Sequence, residues 1–188
     1  MPNKQTVGRF LLLIALSGCT RAETGPASAA DSDRAPMAQE SWDVNLQISD
    51  EGVIRLVLEA AHMLRYEDPD SVYTLFEKGD EISDRVTVSF YDSTGSGTGI
   101  LSADHVLFDE VEHTMIATGD VVLESTEGRM LESERLLWNE DAGTIEAPGF
   151  VSLTTEDQNI RGYELEAAEN LRTWTIKRPT GTVRIREP

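Results

Sequence analysis

The most restrictive feature of this chain is an internal repeat. Residues 101–110 (LSADHVLFDE) align with residues 131–140 (LESERLLWNE), and residues 117–123 (ATGDVVL) align with residues 147–153 (APGFVSL) at the same offset of 30 residues. A looser third copy ends in residues 179–185 (PTGTVRI). Repeats of this length indicate one supersecondary unit that stacks on its neighbours.

Each unit has the period-two alternation of apolar and polar residues that is typical of a half-buried β-strand. Six runs have this alternation, at residues 86–90, 121–123, 144–147, 150–153, 173–176 and 182–185. Residues 92–99 (DSTGSGTG), 140–143 and 156–159 separate such runs and have turn-forming compositions. The sequence therefore predicts an all-β domain with an antiparallel sheet.

One stretch, residues 51–66 (EGVIRLVLEAAHMLRY), also fits a helix. Ile54 and Leu58 lie about one helical turn apart, which is the spacing of an amphipathic helix. However, Leu56 lies between them and continues a period-two pattern, and residues 61–66 resemble a loose earlier copy of the repeat. We therefore favour a strand here and keep the helix as the alternative.

The alternation changes phase inside each repeat unit. Leu101 falls on one face of the predicted strand, whereas Val106 and Phe108 fall on the other. The second copy changes phase in the same way, between Leu131 and the pair Leu136 and Trp138. A phase change within a strand indicates a bulge or a bend. We predict that each unit turns a corner near Asp104 or Glu134. Strands that bend together form a folded-over, two-walled sheet with an apolar trough inside.

The N-terminus has the pattern of a processing signal. A positively charged start precedes the apolar run 10–16 (FLLLIAL), which is far shorter than the ~20 residues that span a bilayer. Residues 16–19 (LSGC) resemble the bacterial lipobox, in which the cysteine is acylated. We predict a signal peptide at 1–18 and a lipid anchor on Cys19. The alternative is an ordinary signal peptide with an incidental cysteine.

The predicted mature chain divides into a tether and one domain. Residues 19–41 are rich in Ala, Ser, Asp, Gly and Pro, and such a segment buries too little apolar surface to offset its ordering entropy. Residues 42–188 have the length of one ordinary domain. Cys19 is the only cysteine, so neither an intramolecular disulfide nor a cysteine metal cluster is expected.

The charge balance limits the class of partner. The chain has 34 acidic and 16 basic residues, and removal of Lys4 and Arg9 with the signal peptide leaves 14 basic residues and a net charge of −20. Nucleic acid is bound by neutralising its phosphates with Lys and Arg, so no nucleic-acid partner is expected. The acidity fits either a cationic partner or, as we favour, the solvated surface of a salt-adapted protein.

The chemistry-bearing residues show no catalytic pattern. His62, His105 and His113 are the only histidines, and none belongs to a recognisable arrangement with a Ser or Cys nucleophile. His105 and His113 lie among acidic residues, where a metal site is conceivable but an exposed acidic turn is favoured. Residues 95–99 (GSGTG) lack the Lys-Ser/Thr ending of a phosphate loop. We predict no enzyme, no cofactor and no metal.

Taken in order, the units Leu-x-Ser/Ala-Asp/Glu-x-x-x-Phe/Trp and Gly-x-Val-x-Leu resemble the OstA-type β-jellyroll of the lipopolysaccharide transport system. The resemblance is closest to LptC, the periplasmic component of the lipopolysaccharide-export ABC transporter. It includes residues 161–165 (RGYEL), 173–176 (TWTI) and 181–185 (GTVRI), and covers roughly residues 46–186. The anchor departs from the family, since the best-known members use a transmembrane helix instead of a lipobox.

The resemblance implies a non-enzymatic lipid relay at the periplasmic face of the inner membrane. Such a protein receives lipopolysaccharide from an LptB/LptF/LptG-type transporter, holds its acyl chains in the trough, and passes them to an LptA-like jellyroll aligned edge to edge. The implied downstream edge strand is Thr182, Val183, Arg184 and Ile185. The implied trough lining is Val88, Phe90, Val106, Phe108, Val121, Leu123, Leu136, Trp138, Val151, Leu153, Trp174 and Ile176.

The residues alone are also compatible with two other functions. Phe108, Trp138 and Trp174 fit plain core packing as well as they fit a lipid trough. The chain would then be a structural or scaffold lipoprotein that binds other jellyroll proteins through its sheet edges without carrying lipid. A stand-alone carrier of other lipids is a further possibility.

Overall fold

The computed structural model describes residues 37–69, 71–81 and 84–183. These residues form β-strands joined by turns, and no helix in them is long and apolar enough to cross a membrane. The prediction of an all-β antiparallel domain is confirmed. The strands are β1 (Met37–Asp50), β2 (Val53–Glu67), β3 (Val72–Glu77), β4 (Val86–Tyr91), β5 (Gly97–Ala103), β6 (His105–Asp109), β7 (Thr114–Ser125), β8 (Met130–Asn139), β9 (Thr144–Thr154), β10 (Gln158–Ala168) and β11 (Trp174–Val183).

The ambiguous stretch at 51–66 is a strand. It lies mostly in β2, where Leu56, Leu58 and Ala60 alternate with more exposed neighbours and face the core. The preference for a strand over a helix is therefore confirmed, because the period-two pattern matches the buried face of the sheet.

One continuous antiparallel sheet contains all eleven strands. Its order is β11-β10-β9-β8-β7-β5-β4-β2-β3-β6, with β1 paired to β2 and β6 paired back to β7. β2 pairs with β4 through residues 56–59 and with β3 through residues 62–67. β7 likewise pairs with β5 in one half and with β6 in the other. The long strands therefore belong to two walls.

The two walls meet along a shared corner. The first wall contains β3, β6 and the adjoining halves of the long strands, and the second contains β4, β5 and the remaining halves. At the corner β5 gives way to β6 around Asp104. The register of β8 against β9 is interrupted between Ser133 and Leu137. The corners predicted near Asp104 and Glu134 are therefore confirmed, and the bulges there change which residues face inward.

Polar side chains hold the corner where backbone pairing is interrupted. Arg85 Nη2 donates to the carbonyl oxygens of Gly119 at 3.0 Å and Asp120 at 2.5 Å. Lys78 Nζ lies 2.6 Å from Asp104 Oδ2, and this hydrogen bond holds the pKa of the Asp104 carboxyl below its usual range. Arg85 thus adds a donor to two backbone carbonyl groups at the bend, and the Gly119 carbonyl also accepts from the Asp104 N–H at 3.1 Å.

Gly119 is the tightest point of the corner. Its φ is +82°, a conformation that side chains rarely adopt, and a Cβ there would lie 2.7 Å from the Cβ of Asp104. Gly128 has a similar φ of +75° but has no atom within 4 Å of a Cβ. A comparison of substitutions at the two glycines therefore distinguishes backbone strain, which both share, from steric crowding, which only Gly119 has.

We predict that Gly119→Ala destabilises the protein more than Gly128→Ala. Both substitutions introduce strain of about 1–3 kcal/mol, and only the first adds a clash with Asp104. The free energy of unfolding in urea, measured for both variants, tests this. Equal losses would contradict a crowded corner.

Within the described residues, β1 and β11 are the two edges of the sheet, since each pairs with a single neighbour.

β1 begins at Met37, so the prediction that the domain starts at Trp42 is wrong by the five residues 37–41, which were assigned to the tether. These residues are mostly polar because they lie at an exposed edge, where backbone pairing with β2 needs no apolar side chains. Residues 1–36 lie outside the described part of the chain.

His62 of β2 connects the β1 edge to the sheet. Its Nε2 lies 2.9 Å from Glu40 on β1, and its Nδ1 lies 2.8 Å from Glu77 on β3. The ring of Trp42 stacks on His62 with centroids 5.4 Å apart. The hydrogen bonds with Glu77 and Glu40 raise the pKa of His62 above its ordinary value of 6.5.

We predict that the β1 edge loosens as the pH rises. A raised pKa in the folded state means that the His62 pairing stabilises fully below pH 6.5 and is lost as pH rises through the folded-state pKa. Hydrogen-exchange protection of β1 should therefore be highest below pH 6.5 and should fall as the pH rises through the raised pKa of His62. His62→Gln should remove this dependence and His105→Gln should not. A β1 protection independent of pH would contradict the role of His62.

Candidate functional site

The space between the two walls contains the predicted trough lining. Nine of the twelve predicted positions are buried, and the other three, Phe90, Phe108 and Trp174, are partly buried and packed against the same core. Both walls contribute, and these side chains belong to one core cluster. Their contact with lipid stays a prediction.

The predicted edge and anchor residues are only partly within the described chain. Thr182 and Val183 lie in β11, which is an edge strand there. Arg184, Ile185 and Cys19 lie outside the described residues.

Side chains fill the half of the trough that contains β8 to β11. Phe90 of the second wall and Trp138 of the first meet edge to face, with ring centroids 5.4 Å apart at 64°. Leu171, in the turn between β10 and β11, has no exposed surface although its φ is +54°. Its backbone strain is retained because the side chain is inserted between the walls.

An ion-pair latch joins the lips of this filled half. Arg172 follows the inserted Leu171 on the lip of the first wall, and Glu127 lies in the turn between β7 and β8 on the lip of the second. Arg172 pairs with Glu127, which also lies 2.5 Å from Arg129. These arginines hold the pKa of Glu127 below its usual range, with Arg172 the larger cause. We call Arg172, Glu127 and Arg129 the latch.

The other half of the trough is open. A cavity of about 570 Å³ lies between Leu46 and Ile48 of β1 on one wall and Phe76 of β3 and Phe108 of β6 on the other. A second cavity of about 250 Å³ adjoins it, because Ile48 and Phe108 line both, and Trp138 contributes to its wall. These volumes are of the order found for small-molecule sites.

Charged residues surround the opening of these cavities. Glu110 accepts hydrogen bonds from Arg65 Nε at 3.0 Å and from Thr74 at 3.1 Å, and the guanidinium is the main cause that lowers its pKa. His113 lies 3.2 Å from Asp141, and this carboxylate raises the pKa of His113. The opening is therefore apolar inside and ionic at its margin.

The histidines do not converge on one point. His105 lies at the corner end of β6, and His113 lies in the turn beyond its other end. Among the described residues, no three His, Cys, Asp or Glu side chains are placed to hold a metal ion.

Some lining residues escaped the sequence prediction. Leu46 and Ile48 have the period-two signal, in residues 44–48 (VNLQI), but they precede the repeat from which the lining was inferred. No local sequence pattern indicates that Leu171 is buried, because a leucine between Asn170 and Arg172 is expected in an exposed turn.

The chain matches no model of a known protein family and no curated protein. The resemblance carried by the repeat units therefore stays a prediction from the residues themselves.

We predict that Leu171→Ala destabilises the filled half of the trough. Removal of a fully buried leucine costs about 2–5 kcal/mol, and the alanine keeps the same backbone strain. Val111→Ala is the matched control, because Val111 lies in a turn on the same lip and is 55% exposed. Thermal unfolding of both variants tests this. A loss no greater than that of the control would contradict an inserted Leu171.

Proposed function

We propose that this protein carries lipid acyl chains in the open half of its trough, as a non-enzymatic relay of the kind that the LptC resemblance predicts. The observation that carries the proposal is the pair of adjoining cavities between two apolar walls, both lined by Ile48 and Phe108. Transfer of hydrocarbon from water to such a surface is favourable by about 25 cal/mol per Å² of buried apolar area.

The arrangement of the sheet supports a direction for the relay. The open cavity lies beside β1, whereas β11 forms the opposite edge. Lipid would enter near β1 from an LptB/LptF/LptG-type transporter in the inner membrane. It would leave past the latch toward an LptA-like jellyroll that pairs with β11. An unpaired edge strand offers the backbone groups that such a partner strand needs.

The predicted anchor is compatible with this direction. Met37, at the start of β1, lies 18 positions after Cys19. An extended chain of this length spans at most about 65 Å. A lipid on Cys19 would therefore keep the β1 edge near the membrane surface, on its periplasmic side.

A scaffold function is the second candidate. The filled half of the trough favours it, because Leu171 and the contact between Phe90 and Trp138 interrupt the path from the cavity to β11. A scaffold lipoprotein would bind jellyroll partners through β1 and β11 and would carry no lipid.

We predict that a photo-crosslinking amino acid at Phe108 captures lipopolysaccharide in cells. Ile48, which lines the same two cavities, should give the same adduct. Ile100 is the control, because it is 53% exposed on the outer face of β5. Adducts are detected as lipid-bearing bands with reduced mobility.

The possible results separate the two candidates. Lipid adducts at Phe108 and Ile48 but not at Ile100 would support the relay. The absence of a lipid adduct at both Phe108 and Ile48 would overturn the relay and favour the scaffold.

A further inference from the structure

The opening of the trough has an excess of carboxylates over cationic groups. The two cavities include Arg55 and His113 among their lining residues. The carboxylates that line them are Asp50, Glu110, Glu140, Asp141 and Glu169. We call these five carboxylates the acidic rim.

Part of the acidic rim is already neutralised. Arg65 binds Glu110, and His113 pairs with Asp141. Among the described residues, no ion pair joins Asp50 or Glu140 to a cation, and Glu140 acts on His113 only through its charge, which helps to raise the pKa of that histidine. The cations near the rim are Arg55, Arg65 and, when protonated, His113. Because the rim has five carboxylates, at least two negative charges remain uncompensated.

The rim lies where a lipid headgroup would be placed. Glu140 and Asp141 belong to the turn between β8 and β9, at the lip of the first wall, and both line the two cavities. Leu46, Ile48 and Phe108 form the apolar surface of the same opening. An acyl chain packed on these three side chains leaves its polar end beside the carboxylates.

We propose that the open half of the trough selects amphiphiles with a cationic, amine-bearing headgroup. The apolar walls hold the hydrocarbon chain, and the uncompensated rim attracts the ammonium group at short range, where the protein surface weakens Coulomb interactions less than bulk water does. The same rim repels an uncovered phosphate. This inference rests on the proposed lipid-carrying function and narrows its ligands to lipids, lipopolysaccharide included, whose headgroup phosphates are covered by an amine-bearing group.

The acidity of the whole chain is the alternative explanation, and it predicts a different result. If general surface charge attracts cations, any two carboxylates should contribute equally. Glu132 of β8 and Glu146 of β9 are exposed and lie outside the two cavities. They form a matched control for Asp50 and Glu140, because each pair removes two negative charges.

The test is displacement of the neutral fluorophore N-phenyl-1-naphthylamine by single-chain amphiphiles below their micelle concentration. The protein is the full chain with Cys19→Ser, so that no acyl chain of its own competes for the trough. The competitors are dodecylamine, dodecyl phosphate and neutral dodecanol, and all three share one hydrocarbon chain. Measurements at low ionic strength retain the electrostatic contribution.

We expect dodecylamine to displace the fluorophore at about tenfold lower concentration than dodecyl phosphate. The double variant Asp50→Asn/Glu140→Gln should bring this ratio close to one and leave dodecanol unchanged. Glu132→Gln/Glu146→Gln should keep the ratio of the parent chain.

Three results would overturn the inference. The first is equal or stronger binding of dodecyl phosphate while dodecanol binds normally. The second is an equal loss of preference in the rim and control variants, which would assign the effect to general acidity. The third is binding of dodecyl phosphate as tight as that of the amine once Mg²⁺ is added, which would identify a cation-covered phosphate as the ligand. Failure of all three amphiphiles and the fluorophore to bind would instead overturn the proposed function.

Discussion

The shared corner is the constraint on which the rest of this structure depends. Because the long strands pass through both walls, the two layers are halves of one sheet and cannot separate without breaking backbone ladders. The bend requires a glycine at position 119 with positive φ, and the side chains of Arg85 and Lys78 add hydrogen bonds to residues at the bend. The space between the walls follows directly from this geometry.

The two halves of that space are physically different. On the β8–β11 side, Leu171 and the Phe90–Trp138 pair provide dense packing, and the latch closes the lips. On the β1 side the walls are separated enough to leave cavities. A lipid relay would have to open the latch for each transfer. An exposed ion pair suits such a step, because it adds little to stability and is weakened by water and salt.

The structure divides the carboxylates of this acidic chain into two groups, those on exposed faces and those of the acidic rim. Most of the described carboxylates lie on exposed faces, where a solvated surface accounts for them without any ligand. Those of the acidic rim differ because they surround an apolar opening. The sequence analysis left two explanations of the acidity, a cationic partner and a solvated surface. The acidic rim is where a cationic partner would bind.

The sequence by itself determined the class of fold. Period-two alternation, the repeat at 30 residues and the phase slip near Asp104 predicted strands, their stacking and their common bend, because local sequence decides which face of a strand is apolar. It missed the start of β1 at Met37, since an exposed edge needs no apolar pattern. Tertiary structure alone decided that Leu171 fills one half of the trough, that Arg172 reaches Glu127, and that Ile48 faces Phe108 across an open cavity. These contacts join residues far apart in the chain, and their geometry depends on how tightly the two walls close.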